Sequence, residues 1–257
     1  MTQIISTHSF RGGTGKSNVT ANLAITLADQ GYRVGVFDTD IQSPGIHIIF
    51  GLDDIETGSC LNDYLWGNCT ILEAAHEVYR TENGGFVSLV PSSIDPNDIA
   101  RILREKYDAS EMHAAFRDLI AAQSLDFLLI DTHPGLNEET LLSIAISDTL
   151  IIILRPDQQD FQGTSVTVDV ARRLRVPDVK LVVNKVPTNY NFATISKQVA
   201  ETYQCNIAAV LPLSIEVVQN ASASVFCKSN PSHPFSEGIH HIVNQLLQED
   251  VRHQEFA

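Results

Sequence analysis

The sequence has few cysteines and none of them stands in a C-x-x-C pair. Cys60, Cys69, Cys205 and Cys227 are scattered along the chain, a spacing that suggests neither a disulfide framework nor a zinc site. Reduced cysteines of a cytosolic protein are the expectation. The sequence also lacks any run of about 18 apolar residues, so no membrane span is expected. Its opening, MTQIISTHSF, has neither the basic start nor the apolar stretch of a signal peptide, and a cytoplasmic location follows as an expectation. Positive charge is scarce as well. Lysine and arginine number 17 against 31 aspartates and glutamates, a net charge of −14. So acidic a chain repels polyanions at long range, which argues against non-specific DNA binding while leaving room for a local basic patch. Internal repeats, low-complexity tracts and highly charged segments of low hydrophobicity are absent too.

What is present is a chain of 257 residues, 44% of them hydrophobic, enough for one large α/β domain. Residues 2–8, which alternate in part and hold Ile4 and Ile5, read as a first strand, and further strands are read along the whole length, at residues 33–37, 86–90, 126–130, 149–154, 179–184 and 206–211. Stretches of helical periodicity separate them, near residues 17–30, 97–106, 110–123, 160–175, 191–203 and 235–249. Continuous apolar strands alternating with helices predict a three-layer, doubly wound, mostly parallel sheet with helices on both faces. Residues 1–257 are therefore read as a single domain. The glycine-rich segment 51–85 reads as a variable surface insertion, with short helices expected at Leu61–Trp66 and Leu72–Tyr79. Such sheets bind ligands at the carboxyl ends of their strands, and Asp38, Asp131 and Asn184 fall at such ends.

The strongest signal is Gly12-Gly13-Thr14-Gly15-Lys16-Ser17, placed after the first strand and opening the first helix. Three glycines let the backbone curl so that successive N–H groups point at phosphate oxygens, and the helix N-terminus adds its dipole. Lys16 can reach the β- and γ-phosphates, and the Ser17 hydroxyl can ligate Mg²⁺. The common pattern G-x-x-x-x-G-K-[ST] fails by one residue, because position 10 is phenylalanine.

The stretch FRGGTGKSNVTANLA resembles the deviant phosphate loop of the ParA/MinD ATPases, usually written K-G-G-x-G-K-[ST]. The resemblance implies a P-loop NTPase fold and an ATP site formed by residues 11–18, Arg11 through Asn18. It also implies a homodimer in the ATP-bound form. In that family the first lysine reaches the partner's nucleotide; here the position holds Arg11. Arginine is always charged and offers a fork of donors, so it can serve in trans, or it can contact only its own phosphates or solvent.

Asp38-Thr39-Asp40 matches the family's acidic residues after the second strand. The resemblance implies that Asp40 orients the attacking water and that Asp38 holds the magnesium shell through water. Asp131-Thr132-His133-Pro134-Gly135 resembles the segment D-x-P-x-G, with Asp131 as a magnesium residue acting through water and Gly135 placing an N–H near the γ-phosphate. His133 is a candidate proton shuttle, although a histidine in a polar loop is more often only hydrogen-bonded. Asn184-Lys185 is followed by Val186-Pro187, so the carboxylate that a guanine site needs two residues after the lysine is missing. By resemblance Asn184 contacts adenine and Pro212 lies by the base. Arg155-Pro156-Asp157 through Gly163 resembles the family's interface segment.

The function this implies is a slow, partner-stimulated ATPase, with ATP and Mg²⁺ as its cofactors. Its dimerisation would drive positioning or partitioning of a cargo. An activating protein partner is expected. The acidic end QLLQEDVRHQEFA would not favour an anionic bilayer. Arg172, Arg173, Arg175 and Lys180 are the only cluster available for DNA. Transfer of the γ-phosphate to a small molecule or protein, and a non-hydrolysing scaffold, remain as alternatives.

Overall fold

The computed structural model describes residues 1–52, 59–105 and 109–255. The chain opens with β1 (Gln3–His8), the phosphate loop, α1 (Lys16–Asp29) and β2 (Arg33–Asp38). Two short helices, α2 (Ile46–Ile49) and α3 (Leu61–Leu65), precede β3 (His76–Arg80) and β4 (Phe86–Val90). Then come α4 (Pro96–Glu105), α5 (Ala109–Gln123), β5 (Phe127–Asp131), α6 (Glu138–Ala145), β6 (Thr149–Leu154) and α7 (Gln158–Arg173). The last part holds β7 (Asp178–Val186), α8 (Phe192–Tyr203), β8 (Asn206–Pro212), α9 (Ile215–Gln219), α10 (Phe226–Ser229) and α11 (Pro234–Glu255).

The strands form one sheet in the order β3-β4-β2-β5-β1-β6-β7-β8, parallel throughout except for the antiparallel edge strand β3. Alternation along single strands shows why both faces need cover. In β5, Phe127 and Leu129 pack with α1 and α11, while Leu128 and Ile130 face the opposite layer with Phe116 and Leu119 of α5. In β6, Ile151 and Ile153 join the first layer, and Leu150, Ile152 and Leu154 pack with α7 and α8. A fully buried leucine or isoleucine is worth about 1.5–3 kcal/mol of transfer free energy, so strands buried on both faces favour this arrangement over any half-exposed sheet. Phe37 and Phe116 meet edge to face at 4.7 Å and tie β2 to α5.

The segment read as an insertion is corrected in part. A helix does form at Leu61–Leu65, capped by Asp63, which accepts from the Cys60 N–H at 3.1 Å. The helix expected at Leu72–Tyr79 does not. Residues 76–80 instead form an antiparallel edge strand on β4, with a bulge between Glu77 and Tyr79. Val78 and Tyr79 suit a strand, and the free edge of β4 supplied backbone partners that no isolated helix could match. Helix α6 lay outside the sequence reading, although its start was written there. Asn137 accepts from the Thr140 N–H at 2.8 Å, with Glu138 and Glu139 in the first turn.

Candidate functional site

The carboxyl ends of β1, β2, β5 and β7 converge on the phosphate loop. Gly15 has φ +95°, a left-handed conformation that glycine adopts without strain, and a Cβ there would lie 2.6 Å from Asn184 Nδ2. The loop therefore fits only because residue 15 has no side chain. Asn184 Nδ2 donates to the Thr14 carbonyl at 2.8 Å, and its Oδ1 accepts the Lys185 N–H at 2.8 Å. Lys185 has φ +59°, and its Nζ reaches back to the Gly13 carbonyl at 2.7 Å. The end of β7 thus braces the loop at two carbonyls. Lys16 and Thr14 are buried, whereas Arg11, Gly12 and Gly13 are exposed.

Beside the loop lies a cavity of about 220 Å³, lined by Gly15, Asn18, Asn184, Pro212, Leu213 and Val217 among others. The residues expected around a base are therefore together. Asn184 has one N–H left to offer an acceptor, while its carbonyl is already engaged. That N–H can serve an acceptor on a purine edge, and the absence of a carboxylate at residue 187 is what disfavours guanine.

Three carboxylates gather on the other side. Asp38 and Asp131 end adjacent strands, and they and Asp40 are all buried. Asp38 accepts from the N–H groups of Asp40 (3.1 Å) and Gly45 (3.2 Å). Neither buried oxygen of Asp131 has a well-formed hydrogen bond. Burial pushes the Asp131 carboxyl up to about 6, with the Lys16 charge and the Ser17 hydroxyl opposing. Burial, then the Asp131 and Asp40 charges, hold Asp38 well above the usual carboxylate range. Two desolvated acids, one of them with both oxygens unsatisfied, next to a loop serine fit a hydrated divalent cation, which would supply the missing donors and charge.

The histidine set aside as merely hydrogen-bonded is bonded to a candidate catalytic residue: His133 Nδ1 lies 2.6 Å from Asp40 Oδ1. The Gly135 N–H, expected near the γ-phosphate, donates to the Ser9 carbonyl at 3.1 Å. Arg11 lies along α7 and bonds to Gln159 through Nη1. Phe10 packs on Gly163 of the same helix, where a Cβ would stand 2.2 Å from the ring. In the segment read as interface, Arg155 bonds to buried Asp160, and Asp157 caps α7 by accepting from the Gln159 and Asp160 N–H groups. The contacts of Gln159 and Lys185 carried no signal in sequence, because each spans more than 140 residues.

The basic cluster read from sequence is smaller than it seemed. Lys180 is buried and pairs with Asp178 at 3.2 Å, because it sits inside β7 rather than on the helix face. Arg172 bonds to the carbonyls of Tyr203 and Gln204. Among the described residues no helix is long and apolar enough to cross a membrane.

Known proteins bear on this geometry. A family model described as ParA, NUBPL iron-transfer P-loop NTPase, matches residues 1–247. An uncharacterized ATP-binding protein of Methanocaldococcus jannaschii is 28% identical over 240 residues, 93% of this chain and 85% of that one. The flagellum site-determining protein YlxH of Helicobacter pylori is 26% identical over 254 residues, 96% of this chain and 82% of that one. The septum site-determining protein MinD of Pyrococcus horikoshii, solved with Mg-ADP, superposes with a TM-score of 0.78 over 96% of both chains at 22% identity, a likeness that speaks for the fold. With the phosphate loop, the strand order and the carboxylate cluster in place, the chain belongs to the ParA/MinD family of P-loop NTPases.

Proposed function

We propose that the protein is an Mg-ATP-dependent ATPase switch that dimerises with ATP bound and uses hydrolysis to position or partition a cargo. One observation carries the dimer: the exposed Arg11 lies outside its own loop, along α7, where a second copy can meet it. The loop amides and Lys16 hold the phosphates, as their placement at the start of α1 suits. Ser17 would hold magnesium directly, with Asp38 and Asp131 acting through its water. When bound, the ion would supply positive charge to offset the charge developing on the phosphates. Asp40 accepts a hydrogen bond from the attacking water. Arg11 then stabilises charge on the partner's nucleotide, and Asn184 and Pro212 border the base.

Iron transfer, which the description of the family model names, is the second reading. Cys60 and Cys227 are buried, and the partly exposed Cys69 and Cys205 belong to separate packing clusters, one with β2, β4 and β5 and the other with β6 and β7. That layout favours the switch over a cluster shared between cysteines of one chain. Sedimentation without nucleotide, with Mg-ADP and with Mg-ATP tests the proposal, alongside Asp40→Ala. A dimer formed with Mg-ATP alone, and held longer by the variant, supports it. An oligomeric state that ignores nucleotide would overturn it.

A further inference from the structure

The Asp131–Gly135 segment departs from D-x-P-x-G at its third residue, where proline gives way to His133. Proline has no side-chain donor; histidine has one, and here it is used. His133 Nδ1 lies 2.6 Å from Asp40 Oδ1. A carboxylate only accepts, so Nδ1 carries the hydrogen and donates it, and in the neutral ring Nε2 is left with the lone pair. The contact is shielded, with the Asp40 side chain 10% exposed and the imidazole 25%. An ionised acceptor in such surroundings makes a stronger hydrogen bond than one in open water.

The donor is also held in place. Thr132 Oγ1 donates to the Thr7 carbonyl at 2.9 Å, Thr140 Oγ1 to the His133 carbonyl at 3.2 Å, and the Gly135 N–H to the Ser9 carbonyl. Residues on both sides of the imidazole are thus tied to the end of β1, and its own carbonyl is tied to the first turn of α6. Asp40 is fixed at its other end, where its N–H donates to Asp38. With Oδ1 taken by His133, Oδ2 is the oxygen free of protein partners among the described residues.

We infer that His133 is a positioning residue for hydrolysis, locking the Asp40 carboxylate so that Oδ2 faces the attacking water. The inference rests on the switch reading above. In the reaction the water oxygen bonds to the γ-phosphorus while the bond to the β–γ bridging oxygen breaks, and its electron pair leaves on ADP. One water proton stays on the released phosphate and the other passes to solvent. Asp40 need only align the water, and His133 need only align Asp40. Neither requires a change of protonation.

Two variants and one spectroscopic measurement test this. In steady-state turnover, His133→Ala lowers kcat about tenfold, the size of one lost charge-assisted contact. Its affinity for a non-hydrolysable Mg-ATP analogue and its melting temperature stay close to the parent's. His133→Asn, whose amide N–H can take the place of Nδ1–H, recovers most of the rate. Nitrogen-15 spectra of the nucleotide-free protein show His133 protonated at Nδ1, with that signal shifted in Asp40→Ala. An unchanged kcat in His133→Ala overturns the inference. So does a His133→Asn variant as slow as His133→Ala, which would place the needed chemistry on Nε2. A protein that never turns over Mg-ATP ends the switch reading and this role with it. A His133 signal indifferent to Asp40→Ala ends this role alone.

Discussion

Asp38 and Asp131 stand directly opposite each other in the register of β2 and β5, both at the carboxyl ends of their strands and both buried. Without a cation between them and the loop, this pair works against the fold. Burial raises both acids, and Asp131 reaches about 6. An acid raised in the native state holds its proton more tightly there than in the unfolded chain. The Asp131 contribution is therefore fully favourable below about pH 4 and is lost as pH rises to about 6. A rise of about two units corresponds to at most about 3 kcal/mol.

Asp131→Asn removes one charge of the pair. The variant without nucleotide should melt several degrees above the parent at pH 7.5–8, a window well above the Asp131 value of about 6. It should gain little from Mg-ATP, which should stabilise the parent strongly. Thermal melts with and without Mg-ATP at pH 5 and pH 8 check this. A variant less stable than the parent at pH 8 would show that the two acids do not strain each other.

Gly15→Ala should keep the fold and lose the nucleotide. The new Cβ would stand 2.6 Å from Asn184 Nδ2 at a φ of +95°. Either the loop or Asn184 must shift, at about 1–3 kcal/mol of backbone strain. We expect an unchanged far-UV spectrum and at least about a tenfold loss of ATP affinity, read by calorimetry.

Arg11→Ala should separate dimerisation from binding. If Arg11 serves a second copy, Mg-ADP affinity stays within about threefold, since charge on an exposed side chain adds little to its own site. The Mg-ATP dimer should then disappear in sedimentation. Gln159→Ala, which frees Arg11 from α7, should leave nucleotide binding intact and change the rate at which the dimer forms.

Base selectivity follows from Pro187. With no acid two residues after Lys185, the site lacks the two-oxygen acceptor that the paired N1–H and N2–H donors of guanine need. Competition against a fluorescent ATP analogue should rank ATP above GTP by about 10²-fold, the scale of an unpaired buried donor pair.

Much of this was legible in the sequence because it is local. Each strand of the parallel sheet after β1 was visible as an apolar run, and the phosphate loop as six consecutive residues. Residues 76–80 were not, since a short segment with mixed propensity takes its conformation from whichever edge it meets. The pairing of His133 with Asp40 was hidden for the same kind of reason. Both residues were read, but 93 positions separate them and only the sheet order makes them neighbours. Lys180 erred in the other direction, for nearness in sequence to three arginines suggested a shared surface that the pleat of β7 denies.

The antiparallel strand β3 has a consequence for crowding. It closes that side of the sheet with Glu77 and Arg80 exposed and ion-paired, and with a bulge that interrupts regular pairing. Another strand laid along it would have to desolvate that pair and follow an irregular ladder. At high local concentration, stacking of copies into fibres through this edge is therefore disfavoured.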